Sequence, residues 1–339
     1  MRSLRVRYAL LGNELYLAED VEIVLEGGRV VDIYETDKPT SNVLAMPALI
    51  NSHVHTADYS LLELWPEKSL EEVVDPVRGL KIRALEQEEN IEAFIWDVIK
   101  LSYRKGTFAL ADFREQGEKG LRIGIRAAKG FPGYLPFARP PGDIWQAYGL
   151  GLPEINYPKA LEYAKKFKEM NKPVAVHFAE SKEEDFDKLL ELDPDFVIHA
   201  NYVTKEELEE LKRRGIAVSK CLRANTWFNL RNNLEDIIEV GVRLLIGTDN
   251  AGWTEPDLWR ELEFSFLSLK YRDEETAREL LKAVTVNAQA PLKLPWRVTL
   301  DRGSDWPLLL LNAKPLRPGS SPYIALVKGR LPVLSIVMP

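Results

Sequence analysis

Two histidines one residue apart, His53 and His55 in the stretch INSHVHT, make up half of the four in this 339-residue chain. In an extended strand, side chains at i and i+2 project to the same side, so the pair aims two imidazoles at one point. Imidazole nitrogen is a favoured metal ligand, and two of them supply half of a tetrahedral site. The remaining histidines, His177 and His199, and the carboxylate Asp249 each close an apolar run: PVAVH, DFVIH and RLLIGTD. Glu180 follows His177 by three residues in HFAE. A carboxylate beside a metal-activated water suits hydrolysis, because it takes a proton from the water and passes it to the leaving group.

These residues need a scaffold that brings five chain segments to one place. From about Ala45 to about Leu292 the sequence alternates eight apolar runs with amphipathic helical patterns. The runs are AMPALINSH, TFALADF, GYLPFAR, AYGLGLP, PVAVHFAE, DFVIHAN, AVSKCLR and RLLIGTDN. Capping-box patterns at Ser181 to Glu184 and Thr204 to Glu207 mark two helix starts. Eight nearly continuous β-runs with interleaved helices predict an α/β fold, a (β/α)8 TIM barrel; a doubly wound open sheet is the alternative. In such a barrel the active site lies at the C-terminal ends of the strands. Every histidine, together with Asp249, would therefore converge on that mouth. The runs before Ala45, including the tight EGGR hairpin at Gly27 and Gly28, and the later runs DWPLLLLNA, YIALVKGR and LPVLSIVMP are short and β-rich. They predict a small β-sandwich from both chain ends, 1–45 with 299–339, beside a barrel domain at 46–298.

HxH, HxxE, a further histidine and a late aspartate, each after a barrel strand, resemble the amidohydrolase superfamily. MPALINSHVHT resembles its strand-one signature, GTFALADFREQG its strand-two region, and SKCLRAN its strand-seven CPRSN segment. HFAE points to the branch holding cytosine, adenosine and S-adenosylhomocysteine deaminases and triazine chlorohydrolases. The resemblance implies one divalent metal per chain, zinc or iron, held by His53, His55, His177 and Asp249. It implies that Glu180 shuttles the proton, that His199 orients the nucleophile or polarises the substrate, and that Asp249 also accepts a proton. Binuclear relatives carry a bridging lysine at strand four, where AYGLGLPEIN has none; Glu154 reads as a loop residue there. The implied activity is metal-dependent hydrolysis of a C–N bond, deaminating an amino-substituted heterocycle. The alternatives are hydrolysis of a ring amide, imide or halide at the same site, or a catalytically inactive binding relative.

Loop positions after the strands supply the expected substrate contacts: Arg114, Arg139, Arg223, Asn225 and Trp253. Guanidinium forks suit planar polar or anionic groups, and an indole suits a flat ring. The long connection 56–81 suits a mobile or partner-donated lid, a role left open. A formal charge of −7 argues against a general nucleic-acid binder. No apolar run reaches the ~18 residues of a membrane span. A single cysteine, Cys221, excludes an intrachain disulfide, fits a cytoplasmic protein, and reads as a small buried hydrophobe. The expected partner is a small-molecule substrate, with neither nucleic acid nor membrane; a homo-oligomer is left open.

Overall fold

The computed structural model describes residues 1–75 and 78–338. The strands are β1 (Arg2–Leu11), β2 (Tyr16–Glu26), β3 (Arg29–Glu35), β4 (Ser41–Pro47), β5 (Leu49–His55), β6 (Thr107–Arg114), β7 (Tyr134–Ala138), β8 (Gly149–Leu152), β9 (Val174–Phe178), β10 (Phe196–His199), β11 (Ala217–Lys220), β12 (Leu244–Ile246), β13 (Asp249–Asn250), β14 (Leu308–Asn312) and β15 (Val333–Val337). They form two sheets, and each of the eight expected apolar runs contributes to the larger one. The chain divides into two compact units. One holds Met1–Ile50, Ser102–Phe108 and Leu258 onward; the other holds Asn51–Leu101 and Ala109–Asp257. The stretches 102–108 and 258–298, read from sequence as barrel, thus group with the chain ends.

The larger sheet runs β12-β11-β10-β9-β8-β7-β6-β5-β13, and its assigned neighbour pairs are parallel. Its two ends belong to one interrupted strand. Only Gly247 and Thr248 separate β12, paired with β11, from β13, paired with β5. Their amides continue the ladder, Gly247 N–H to Lys220 O at 3.0 Å and Thr248 N–H to His53 O at 2.9 Å. The arrangement is TIM-like. Glycine is required at 247, because a β-carbon there would lie 2.6 Å from the His53 carbonyl oxygen. The interior below the histidines is aromatic: Phe113 and Phe137 stack at 5.0 Å, and Phe196 meets both edge-on. β8 makes room for them with Gly149 and Gly151, where a β-carbon would strike those two rings.

The smaller sheet has the order β15-β14-β4-β1-β2-β3. Both chain ends contribute, β14 pairing antiparallel with β4, and Leu300 and Leu308 pack in one apolar cluster with Val6, Ile23 and Ala45. The EGGR turn forms as expected: Glu26 pairs with Arg29, and Gly27 and Gly28 both have positive φ, as a type I′ hairpin needs. The terminal strands make a single six-stranded sheet where a sandwich was expected; a second facing sheet is not among the described strands. YIALVKGR is not a strand. It falls in the helix Pro322–Val327, because Ser321 caps the amide of Ile324 and Pro322 takes the first turn, where its missing N–H costs nothing.

Helix starts followed the cap chemistry in one case and departed from it in the other. Thr204 and Glu207 form the expected capping box of the helix Lys205–Arg214. Ser181 and Glu184 do not. Glu184 instead accepts the amide of Ala179 at 2.6 Å, and the helix begins at Phe186 behind Asp185. No helix among the described residues is long and apolar enough to cross a membrane.

Candidate metal centre and active site

The strand ends bring all four histidines together. His53 and His55 close β5, with ring centroids 4.9 Å apart; His53 lies 4.9 Å from the His177 ring and 5.9 Å from that of His199. Asp249 pairs with Val54, between the two β5 histidines. Its Oδ1 is 3.3 Å from His53 Nε2 and 3.5 Å from His55 Nε2, and its Oδ2 is 3.9 Å from His199 Nε2. Glu180 Oε1 is 3.3 Å from His199 Nε2. The backbone is strained to reach this geometry. Ala179, His199, Ala200 and Asp249 have φ of 47°, 70°, 47° and 61°, in the left-handed region costly to L-residues.

Three of the imidazoles are oriented by acceptors at Nδ1. His55 Nδ1 is 2.9 Å from Phe113 O, His177 Nδ1 2.9 Å from Leu152 O, and His199 Nδ1 3.0 Å from Asn225 Oδ1. An acceptor there requires the hydrogen on Nδ1, which leaves Nε2 with a free lone pair. That is the usual way a protein fixes a metal-binding histidine. His53 is fully buried, and neither of its ring nitrogens has a hydrogen-bond partner. Burial pushes its pKa down to about 3 and holds His177 well below the ordinary histidine value. Burial also works against a charge on Asp249, but the contact with His53 overrides it and keeps the carboxylate ionised. Electron-rich nitrogens facing an anionic carboxylate in a buried space suit a divalent cation. The donor set therefore fits a divalent metal. Three groupings meet closely enough to hold one: His53, His177 and His199; His53, His55 and Asp249; and Glu180, His199 and Asp249.

The centre opens into a cavity of about 560 Å³, lined among others by His55, His177, His199, Asp249, Glu180 and Arg139. Burial raises the Glu180 pKa above the ordinary carboxyl value, so this group holds a proton more readily than a surface glutamate. Arg139 reaches the same floor, with Nη2 at 3.4 Å from His177 Nε2 and Nη1 at 3.7 Å from Glu115 Oε1. The helix Leu70–Val74, from the long connection 56–81, lines the cavity with Leu70, Glu71 and Val74. Pro76 and Val77 of that connection lie outside the described residues.

The other expected substrate contacts are placed elsewhere. Arg114 is buried beside Asp112 and donates from Nε to Gly120 O at 3.3 Å. Arg223 donates to Glu255 O at 3.0 Å. Trp253 donates to Leu64 O at 2.6 Å and packs against Trp65 and Phe228. Asn225 lies behind the site rather than in it, accepting from His199 and donating to Asn201 Oδ1 at 2.9 Å. None of these four lines the cavity. Asp112 is spent on Thr56, whose amide and hydroxyl it accepts at 2.9 and 2.7 Å. Cys221 is buried, as expected.

Three functional neighbours escaped the sequence reading. Lys220, the last residue of β11, donates to His199 O at 2.7 Å, to Asn233 Oδ1 at 2.9 Å and to Asn201 Oδ1, and burial pushes its pKa down to about 7. Asn201 donates to Glu180 O at 2.8 Å. Lys81 sits between Asp58 and Glu115. A lysine ending the apolar run AVSK is a signal that could have exposed Lys220; the polar surroundings of Lys81 carry none.

The family model for the amidohydrolase family matches residues 152–331, and an uncharacterized protein of Methanocaldococcus jannaschii is 31% identical over 336 residues, covering 87% of this chain and 86% of its own. The chain belongs to the amidohydrolase family. A 5-methylthioadenosine/S-adenosylhomocysteine deaminase of Pyrococcus furiosus is 23% identical over 379 residues, covering 94% of this chain and 88% of its own. Among solved structures, the zinc complex of the atrazine chlorohydrolase of Arthrobacter aurescens superposes with a TM-score of 0.80 at 16% identity, covering 96% of this chain and 91% of that one. That likeness speaks for the fold. This amidohydrolase carries its metal-type donors on β5, β9, β10 and β13, so the family model spans three of those four strands and leaves out β5.

Proposed function

We propose that this amidohydrolase deaminates an amino-substituted heterocycle, using one zinc ion held by His53, His55, His177 and Asp249. The observation that carries the reading is Glu180, a carboxyl with raised proton affinity, set 3.3 Å from His199 and grouped with it and Asp249 closely enough to hold a metal. A divalent metal bound there supplies Lewis acidity and lowers the pKa of water to ~7. Glu180 takes one proton from the attacking water and delivers it to the departing nitrogen. A C–O bond forms, the C–N bond breaks, and ammonia leaves. His199, fixed by Asn225 with its Nε2 lone pair toward the site, accepts a hydrogen bond from the attacking water and orients it. Arg139 offers its guanidinium edge to ring acceptor atoms, since its Nε has no partner. The deaminase among the relatives supports this choice of reaction, and the absence of a lysine in β8 supports a single metal.

The test is a panel of aminopurines, aminopyrimidines and aminotriazines offered to metal-replete protein in ¹⁸O water. At least one should release ammonia and gain one ¹⁸O atom. A preparation that ignores the panel but cleaves simple amides, halides or phosphoesters efficiently overturns the assignment.

A further inference from the structure

Close to the centre lies a buried cluster of charges that the proposed reaction does not use. Lys81, the second residue of the helix Leu80–Gln87, is only 3% exposed, with Nζ 2.8 Å from Asp58 Oδ2 and 2.7 Å from Glu115 Oε1. The same Glu115 oxygen is 2.7 Å from His55 Nδ1. Asp58 is fully buried and Glu115 is 2% exposed. Three chain segments meet here: the turn after β5, the residue after β6, and a helix that follows the long connection.

A carboxylate this deeply buried is costly unless a cation sits beside it, and the Lys81 ammonium is the nearer of two, with Arg139 Nη1 further off at 3.7 Å. We propose that Lys81 is a positioning residue for the metal centre: its ammonium, 2.7 Å from Glu115 Oε1, holds that side chain against His55 Nδ1 and so steadies the His55 ring with Nε2 toward the site. Phe113 O, 2.9 Å away, accepts the Nδ1 hydrogen, and Glu115 adds a charged contact beside it. Asp58 balances the second half of the Lys81 charge. Groups packed against the outer nitrogen of a ligating histidine orient its ring, and loss of such a partner costs 10- to 100-fold in metal affinity. The inference rests on the metal reading above and adds that metal retention depends on a residue of the helix Leu80–Gln87.

The test is zinc affinity of purified full-length protein, measured by competition with a chromophoric chelator, alongside the thermal midpoint of the metal-free form. Glu115→Gln keeps an amide oxygen for His55 and leaves Lys81 paired with Asp58. It should fold normally and bind zinc about 10-fold more weakly. Lys81→Arg should bind within about threefold of the parent, because the cation is kept. Lys81→Met should lose affinity like Glu115→Gln, and the double variant should lose no more than Glu115→Gln alone, since Lys81 acts through Glu115. Should Lys81→Met fail to fold, the comparison of Glu115→Gln with the double variant, which removes one charge of each sign, still decides. Additive losses, or Glu115→Gln binding as tightly as the parent, overturn the proposal. Parent protein that binds no zinc tightly overturns the metal reading instead, so the two failures are told apart.

Discussion

Lowering the pH of the metal-free protein should destabilise it through His53. The ring is fully buried with a pKa near 3, whereas an unfolded histidine titrates at ~6.5. The unfolded chain therefore takes up a proton across a window in which the folded one does not. Stability is complete above the unfolded value and is lost as pH falls from there toward 3, because the unfolded state binds more protons throughout. Integrating that difference from pH 7 to pH 4.5 gives ~2.5 kcal/mol for His53 alone. His177, also held low by burial, adds in the same direction. Glu180, whose proton affinity is raised, works the other way, since the folded state takes its proton first.

The assay is chemical denaturation of chelator-treated protein at several pH values between 7 and 4.5, run beside His53→Gln. An amide fills part of the space and does not titrate, and the His177 and Glu180 contributions are common to both proteins. The variant should therefore be less stable at neutral pH but should lose ~2.5 kcal/mol less on acidification. Parallel pH profiles for the two would refute the claim that burial keeps His53 neutral. Adding zinc to the parent should shift its window to lower pH, because metal and proton compete for the same nitrogens.

Other outcomes separate the roles within and outside the site. Glu180→Gln should keep its metal while turnover falls by ~10²-fold or more, whereas His177→Ala should lose metal as read by elemental analysis; normal turnover in the first or full metal content in the second would contradict the assignments. Trp306 is fully buried, donates to Ala48 O at 2.9 Å and packs edge-on against Phe108 at 5.1 Å. Trp306→Ala should therefore cost ~3–5 kcal/mol by denaturant titration, as truncation of a buried aromatic does.

What the sequence made legible depended on whether one residue type could satisfy a local rule unaided. An apolar run ending in His or Asp is such a rule, and β5, β9, β10 and the interrupted strand at 244–250 all obey it. Strand-terminal side chains at a parallel mouth have nowhere to point but the site, so placing the strand places the residue. Loop arginines follow no such rule. Arg114 and Arg139 each stand at or just beyond a strand end, yet one turns back to Gly120 O and the other reaches His177. The difference lies in which carboxylates and carbonyls happen to be within reach, and those come from distant segments. Lys81 was hidden for the same reason: its partners are 23 and 34 positions earlier and later in the chain, and a lysine in a polar helix normally faces water. Ser181 and Glu184 match the capping pattern, but a tertiary bond to Ala179 N–H claims the glutamate first.

The strain at the strand ends ties these observations together. Left-handed backbone at a non-glycine residue costs of the order of 1–3 kcal/mol and persists only where the surroundings over-determine it. Four of the fifteen such residues described are His199 and Asp249, and Ala179 and Ala200 beside the site. Histidine and aspartate tolerate this region better than most residues, because short polar side chains can bond locally. The tolerance has a chemical consequence. A strand that ends in extended geometry sends its next side chain to the opposite face, whereas a left-handed residue turns the chain sharply and keeps that residue at the mouth. The turn at His199 also carries its carbonyl to Lys220, which holds Asn201 as well, and Asn201 in turn holds the main chain of Glu180. The Glu180 main chain is thus held by a chain of hydrogen bonds that starts at a left-handed histidine. Stabilising this protein by relaxing those four residues should therefore displace Glu180 from His199 before it affects the fold, which is where a trade between stability and turnover belongs in this site.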